Sequence, residues 1–135
     1  MKKLEHIGIA VKNLEESEAL FAKLLGTKPY KREIVESEQV TTSFFKIGDI
    51  KIELLSAINE QGPIAKFIEK KGEGIHHLAF ETESIIHELE QKKEELFEII
   101  NQDPKDGADN KLISFLHPRS TNGVLIELCQ EKINP

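Results

Sequence analysis

Two stretches of this chain decide its fold: Glu5-His6-Ile7-Gly8-Ile9-Ala10-Val11 near the start and Ile75-His76-His77-Leu78-Ala79-Phe80 in the second half. Each alternates in the period of a β-strand and carries a histidine among aliphatic neighbours. Each is followed, at nearly equal separation, by an apolar strand with one central glutamate. These are Lys51-Ile52-Glu53-Leu54-Leu55 after the first and Leu125-Ile126-Glu127-Leu128-Cys129 after the second. A histidine strand and a glutamate strand recurring in the same order read as a duplicated module. The order carries the repeat more than the letters do.

The elements between these strands fit a βαβββ unit used twice. After a strand over 4–11, Asn13 caps a helix with Glu16 three positions on. Leu14, Phe21, Leu24 and Leu25 form its expected buried stripe, and Gly26 ends it. Strands are expected at 28–35, 39–47 and 50–56, with a Gly48-Asp49 turn between the last two. Gln61-Gly62-Pro63 leads into a short bridging helix from Ile64 to Lys71, closed by Gly72 and Gly74. The second unit then has a strand from Ile75 to Glu81 and a helix capped by Thr82 or Ser84, with Ile85, Ile86 and Leu89 on one side. Strands follow near 97–101, 111–117 and 123–129, and the polar stretch Asn101 to Asn110 reads as a loop. The modules therefore span approximately 1–57 and 72–131 of a single 1–135 domain, of α+β class.

Alternate side chains of a strand share a face. His6, Gly8 and Ala10 thus point one way, as do His77, Ala79 and Glu81, and the small residues leave room for a cup rather than filling a core. Buried carboxylates are costly alone and favourable beside a divalent cation. His6, Glu53, His77 and Glu127 accordingly read as four ligands of one metal, half from each copy. Two imidazoles and two carboxylates suit Co, Ni, Zn, Fe or Mn, and a single cysteine excludes a thiolate-rich site. His76 faces away from His77 and is read as structural, His87 as exposed on its helix, and His117, before Pro118, as structural. Lys70-Lys71 and Lys92-Lys93 read as solvated faces.

Composition bounds the function. The chain has 135 residues, enough for one ordinary domain, with 39 % hydrophobic and 31 % charged residues. A net charge of −6 without a long basic stretch argues against nucleic acid. No apolar run approaches bilayer length, and no signal-peptide core is present, so the expected setting is cytoplasmic. Cys129, the one cysteine, suits a reducing compartment and, in an apolar strand, reads as an inert thiol.

These residues resemble the vicinal-oxygen-chelate superfamily, whose members pair βαβββ modules around a metal. Within it the likeness is to the methylmalonyl-CoA epimerases. It runs through His6-Ile7-Gly8-Ile9-Ala10-Val11, Ile64-Ala65-Lys66-Phe67-Ile68 and Gly72-Glu73-Gly74-Ile75-His76-His77-Leu78-Ala79-Phe80. It continues in His117-Pro118-Arg119-Ser120 and Gly123-Val124-Leu125-Ile126-Glu127-Leu128. The resemblance implies His6, Glu53, His77 and Glu127 as metal ligands. It also implies an acyl-CoA thioester as substrate, and a homodimer is the expected assembly. Two positions of an octahedral metal stay open for the thioester carbonyl and a carboxylate of a malonyl-type substrate, and the α-proton leaves to give an enolate. Glu127 is expected to move the proton on one face. A further family glutamate falls in Val35-Glu36-Ser37-Glu38-Gln39-Val40; Glu36 is the first choice as the second proton-transfer group and Glu38 the alternative register.

Other readings share the fold. A glyoxalase I-like isomerase would use the same ligands on a glutathione hemithioacetal. A ring-cleaving dioxygenase needs a facial triad and a more open metal, which the fourth ligand disfavours. A non-enzymatic binding relative commonly loses the ligands, and here all four are kept.

Overall fold

The computed structural model describes residues 1–132. In chain order the elements are β1 (Lys3–Ala10), α1 (Leu14–Leu25), β2 (Lys31–Val35), β3 (Val40–Ile47), β4 (Ile50–Ala57), α2 (Pro63–Lys71) and β5 (Gly74–Glu81). Then follow α3 (Ile85–Glu94), β6 (Lys105–Gly107), β7 (Lys111–Leu116) and β8 (Ile126–Glu131). The order is βαβββ twice, with α2 between, as the repeat predicts. Two compact units are formed, one from residues 6–76 and the other from 1–5 with the described residues 77–132.

In the 6–76 unit, β4 pairs parallel with β1 and antiparallel with β3, and β2 pairs antiparallel with β3. The other unit repeats the scheme: β8 pairs parallel with β5 and antiparallel with β7, and β6 pairs antiparallel with β7. Each unit's helix covers one face of its strands. Leu14 of α1 packs with Val11, Phe45 and Leu54, joined by Phe21, Ala22 and Leu25. Ile85 and Leu89 of α3 pack with Leu116 and Leu128, joined by Phe97 and Ile99. Each fully buried Leu or Phe in these layers contributes about 2 kcal/mol of hydrophobic stabilisation.

The helix ends follow the local code. Asn13 accepts the Glu16 N–H at 2.9 Å, and Gly26 closes α1 at φ 70°, a conformation open to glycine without strain. Ser84 rather than Thr82 caps α3; Thr82 is buried instead and donates its hydroxyl to Glu88.

Three expectations about packing are corrected. Leu24 is exposed, because Leu25 is the residue four positions beyond Phe21 on the inward stripe while Leu24 continues from the equally exposed Leu20. Ile86 is exposed for the same reason: Ile85 and Leu89 share the buried face, and a neighbour about 100° round the helix does not. The segment 97–101 makes only an isolated bridge, Ile99 to Leu116, and the strand proper is β6, inside the stretch read as a loop. The edge of β7 is shared between two pieces: Ile100 N–H donates to the Phe115 carbonyl, whereas Lys105 to Gly107 pair with Ile113 to Lys111. Pro104, which lacks an N–H, lies between them. A Cβ at Gly107 would meet Ile113 Cδ1 and Cγ2 at 2.8 Å, so a larger residue there would displace the Ile113 side chain.

Candidate metal centre

Strand register brings each histidine to its glutamate. Across β1 and β4, Glu53 stands level with Gly8, two positions after His6. Across β5 and β8, Glu127 stands level with Ala79, two positions after His77. The offset is identical, so each pair shares a face, with Leu54 and Leu128 turned the other way into the helix-covered cores. His6 Nδ1 lies 3.1 Å from Glu53 Oε2. His77 Nε2 lies 3.3 Å from Glu127 Oε1. All four residues are 4–5 % exposed.

These contacts suit metal ligation. Metal bonds of about 2.1 Å meeting at about 90–110° hold their donor atoms about 3.0–3.4 Å apart. Each pair therefore already has the spacing of two adjacent ligands, and a divalent cation would balance the buried carboxylates. Aromatic rings flank both glutamates. Phe44 lies opposite Glu53 and Phe115 opposite Glu127, and Phe115 also meets the His77 ring edge-on at 5.9 Å.

The remaining candidates separate clearly. Glu36 is exposed, whereas Glu38, at the end of the same short 3-10 turn, has a buried Oε1. The turn closes through Gln39, left-handed at φ 55°, whose N–H donates to the Glu36 carbonyl. His76 packs edge-on against Phe67 at 5.0 Å; burial, then the charge of Lys71, push its pKa down to about 4, so it is neutral at physiological pH. His87 is exposed. His117 accepts the Arg119 N–H at 3.0 Å through Nδ1 and caps the turn leading toward β8. Cys129 is fully buried, and burial, followed by the Glu127 carboxylate, raises its pKa well above that of a free thiol.

Three buried charges escaped the sequence reading, Glu88 of α3 at 8 % exposed among them. Glu5 is 3 % exposed and Lys111 4 %. Lys111 shares the face of Ile113 and Phe115 and reaches the exposed Glu131 at 3.1 Å. Its alternation with Ile113 and Phe115 was the available signal, but a lysine at a strand start ordinarily reads as a solvated end.

Comparison with known proteins fixes the class. The chain matches the Glyoxalase/Bleomycin resistance protein/Dioxygenase superfamily over residues 5–115. It belongs to that superfamily, with its α+β vicinal-oxygen-chelate fold of two βαβββ modules. It is 38 % identical over 132 residues to the Bacillus subtilis protein YqjC, described only as uncharacterized, covering 98 % of this chain and 94 % of that one. It is 39 % identical over 127 residues to the mitochondrial methylmalonyl-CoA epimerase of Dictyostelium discoideum, covering 93 % of this chain and 76 % of that one. Among solved structures it resembles a Streptomyces coelicolor methylmalonyl-CoA epimerase variant in complex with 2-nitronate-propionyl-CoA. There the TM-score is 0.94 and the identity 27 %, with 100 % of this chain and 99 % of that one covered. The chain is thus related to methylmalonyl-CoA epimerases. No helix among the described residues is long and apolar enough to cross a membrane.

Proposed function

We propose that this protein is a metal-dependent epimerase that interconverts the C2 epimers of methylmalonyl-CoA. The observation that carries the reading is the duplicated pair: a buried histidine and glutamate at the same register offset in both modules, at 3.1 and 3.3 Å. The relationship to epimerases supports this substrate among the chemistries the superfamily carries out.

In this reading His6 and Glu53 in one unit, and His77 and Glu127 in the other, are the ligands of a divalent metal. When bound, the metal supplies Lewis-acid stabilisation of negative charge gathering on the thioester oxygen. The chain's own residues move the proton. Glu127 takes the α-proton on one face of the substrate, its carboxylate held in place by β8 and by His77. A second carboxylate returns a proton to the opposite face. Glu38 is favoured for this role over Glu36, because its Oε1 is turned out of solvent, as a group reaching an enclosed substrate would be, while Glu36 is exposed. Phe44 stands beside Glu53 and Phe115 beside Glu127, and each ring shields its glutamate from water.

The test is direct. Metal-loaded protein incubated with one epimer of methylmalonyl-CoA in heavy water is expected to form the other epimer with deuterium at C2. Absence of both inversion and exchange, with metal bound, would overturn the reading.

A further inference from the structure

The side chain of Thr42 is 1 % exposed, and its Oγ1 has no hydrogen-bond partner among the described residues. An unpaired buried hydroxyl is costly, since it has given up water and received nothing in return. Sheet geometry shows which way it faces. On β3, Ser43 points toward α1, where its hydroxyl donates to Glu18 at 2.6 Å, and Phe45 lies in the core under the same helix. Thr42 and Phe44 therefore face the other side of the strand. Phe44 stands opposite Glu53, and Thr42 opposite Leu55, so Thr42 shares the face that carries the Glu53 carboxylate, one same-face step from it.

The second module carries an apolar residue at the matching place. Phe115 stands opposite Glu127 as Phe44 stands opposite Glu53, so the residue corresponding to Thr42 is Ile113. Ile113 is 4 % exposed and packs with Ala79 and Cys129. The fold thus accepts an apolar β-branched side chain at this position. A hydroxyl is not needed for packing there, and Val would fill the space of Thr42 without the desolvation cost.

We propose that Thr42 is a substrate-binding residue whose hydroxyl donates a hydrogen bond to an oxygen of the bound acyl thioester beside Glu53. This rests on the epimerase reading above. Thr42 carries no charge and moves no proton; it fixes the acyl group's orientation and so acts on affinity.

Thr42→Val separates this role from a structural one, because the two predict opposite signs. Removing an unpaired buried hydroxyl is expected to raise the thermal midpoint by about 3 °C. The same change is expected to raise both the KM and the Kd for methylmalonyl-CoA in the cobalt-loaded protein about tenfold, with kcat and metal content near the parent's. Thr42→Ser keeps the hydroxyl and is expected to restore KM while losing stability through the missing methyl. A Thr42→Val protein with the parent's KM and Kd overturns the proposal and leaves the epimerase reading standing. So does a Thr42→Val protein of reduced thermal midpoint, since the hydroxyl would then serve the fold. A parent protein that neither binds nor turns over the thioester removes both together.

Discussion

The ring of Phe115 meets the His77 imidazole edge to face, with centroids 5.9 Å apart and planes at 88°. Phe115 stands opposite Glu127 on the neighbouring strand, so one side chain touches the row that holds both members of the second pair. Its packing fixes the plane in which the imidazole can present Nε2. Phe115→Leu keeps most of the apolar volume and loses the aromatic edge. It is expected to lower metal affinity about tenfold, read by titrating cobalt into the apoprotein, while the loss of stability stays near 1 kcal/mol. Unchanged cobalt affinity would show that the imidazole is held by its backbone and Glu127 alone.

The four proposed ligands make a set. Replacing His6, Glu53, His77 or Glu127 by Ala is expected to cut metal content sharply while the protein stays folded, because the cores around Phe45 and Ile85 lie on the other face of the strands. Elemental analysis alongside circular dichroism checks this, and full occupancy in His77→Ala would remove that residue from the set. Glu127→Gln is the more informative change. Its amide oxygen still coordinates, so more metal is retained than in Glu127→Ala, yet an amide cannot accept the α-proton. Less than about one hundredth of the parent's exchange rate at C2 is expected; a parent-like rate with metal bound would assign the proton to another group.

Much of this was legible in the sequence because it rests on periodicity. The paired strands, the Asn13 and Gly26 caps and the nearly equal spacing of the histidines and glutamates all follow from local rules, and their registers came out alike. What was not legible depends on tertiary choice. Leu24 and Leu25 look equivalent in a composition, and only the angle of α1 on its strands decides which is buried. Strand β6 is three residues long and lies among turn formers, so it exists because β7 offers an edge rather than through its own propensity. Thr42 and Ser43 are neighbours of the same polarity, and nothing local shows that one hydroxyl finds Glu18 while the other finds no partner among the described residues.

Acid stability should report on one clamp in the 6–76 unit. Glu18 on α1 accepts from Arg32 Nε of β2 at 3.0 Å and from Ser43 Oγ of β3 at 2.6 Å. The Arg32 guanidinium, with the Ser43 hydroxyl adding to it, holds the carboxyl below its ordinary 4.5. A carboxyl depressed on folding contributes stability that is fully present above its unfolded value and is lost as pH falls through the folded one. The contribution therefore fades below about pH 4.5. Glu18→Gln is expected to lower the thermal midpoint at neutral pH and to flatten its fall on the acid side. Parallel curves for the two proteins down to pH 2.5 would mean that the clamp is already screened by solvent.

The two glutamates of the turn before β3 give the sharpest test of the proton path. Neither is a proposed ligand, so Glu36→Gln and Glu38→Gln are both expected to bind metal as the parent does. Glu38 has a buried carboxylate oxygen and Glu36 is exposed. Glu38→Gln should therefore stop inversion, while Glu36→Gln should leave it within about twofold. Exchange and inversion must be measured separately. With Glu127 intact and Glu38 neutralised, one epimer of methylmalonyl-CoA should still exchange its α-proton in heavy water without turning into the other. The epimer whose proton faces Glu38 should do neither. A Glu38→Gln enzyme that inverts both epimers at the parent's rate would remove Glu38 from the proton path. Loss of inversion in Glu36→Gln would then assign the role to Glu36, and retention in both would show that a single base serves both faces.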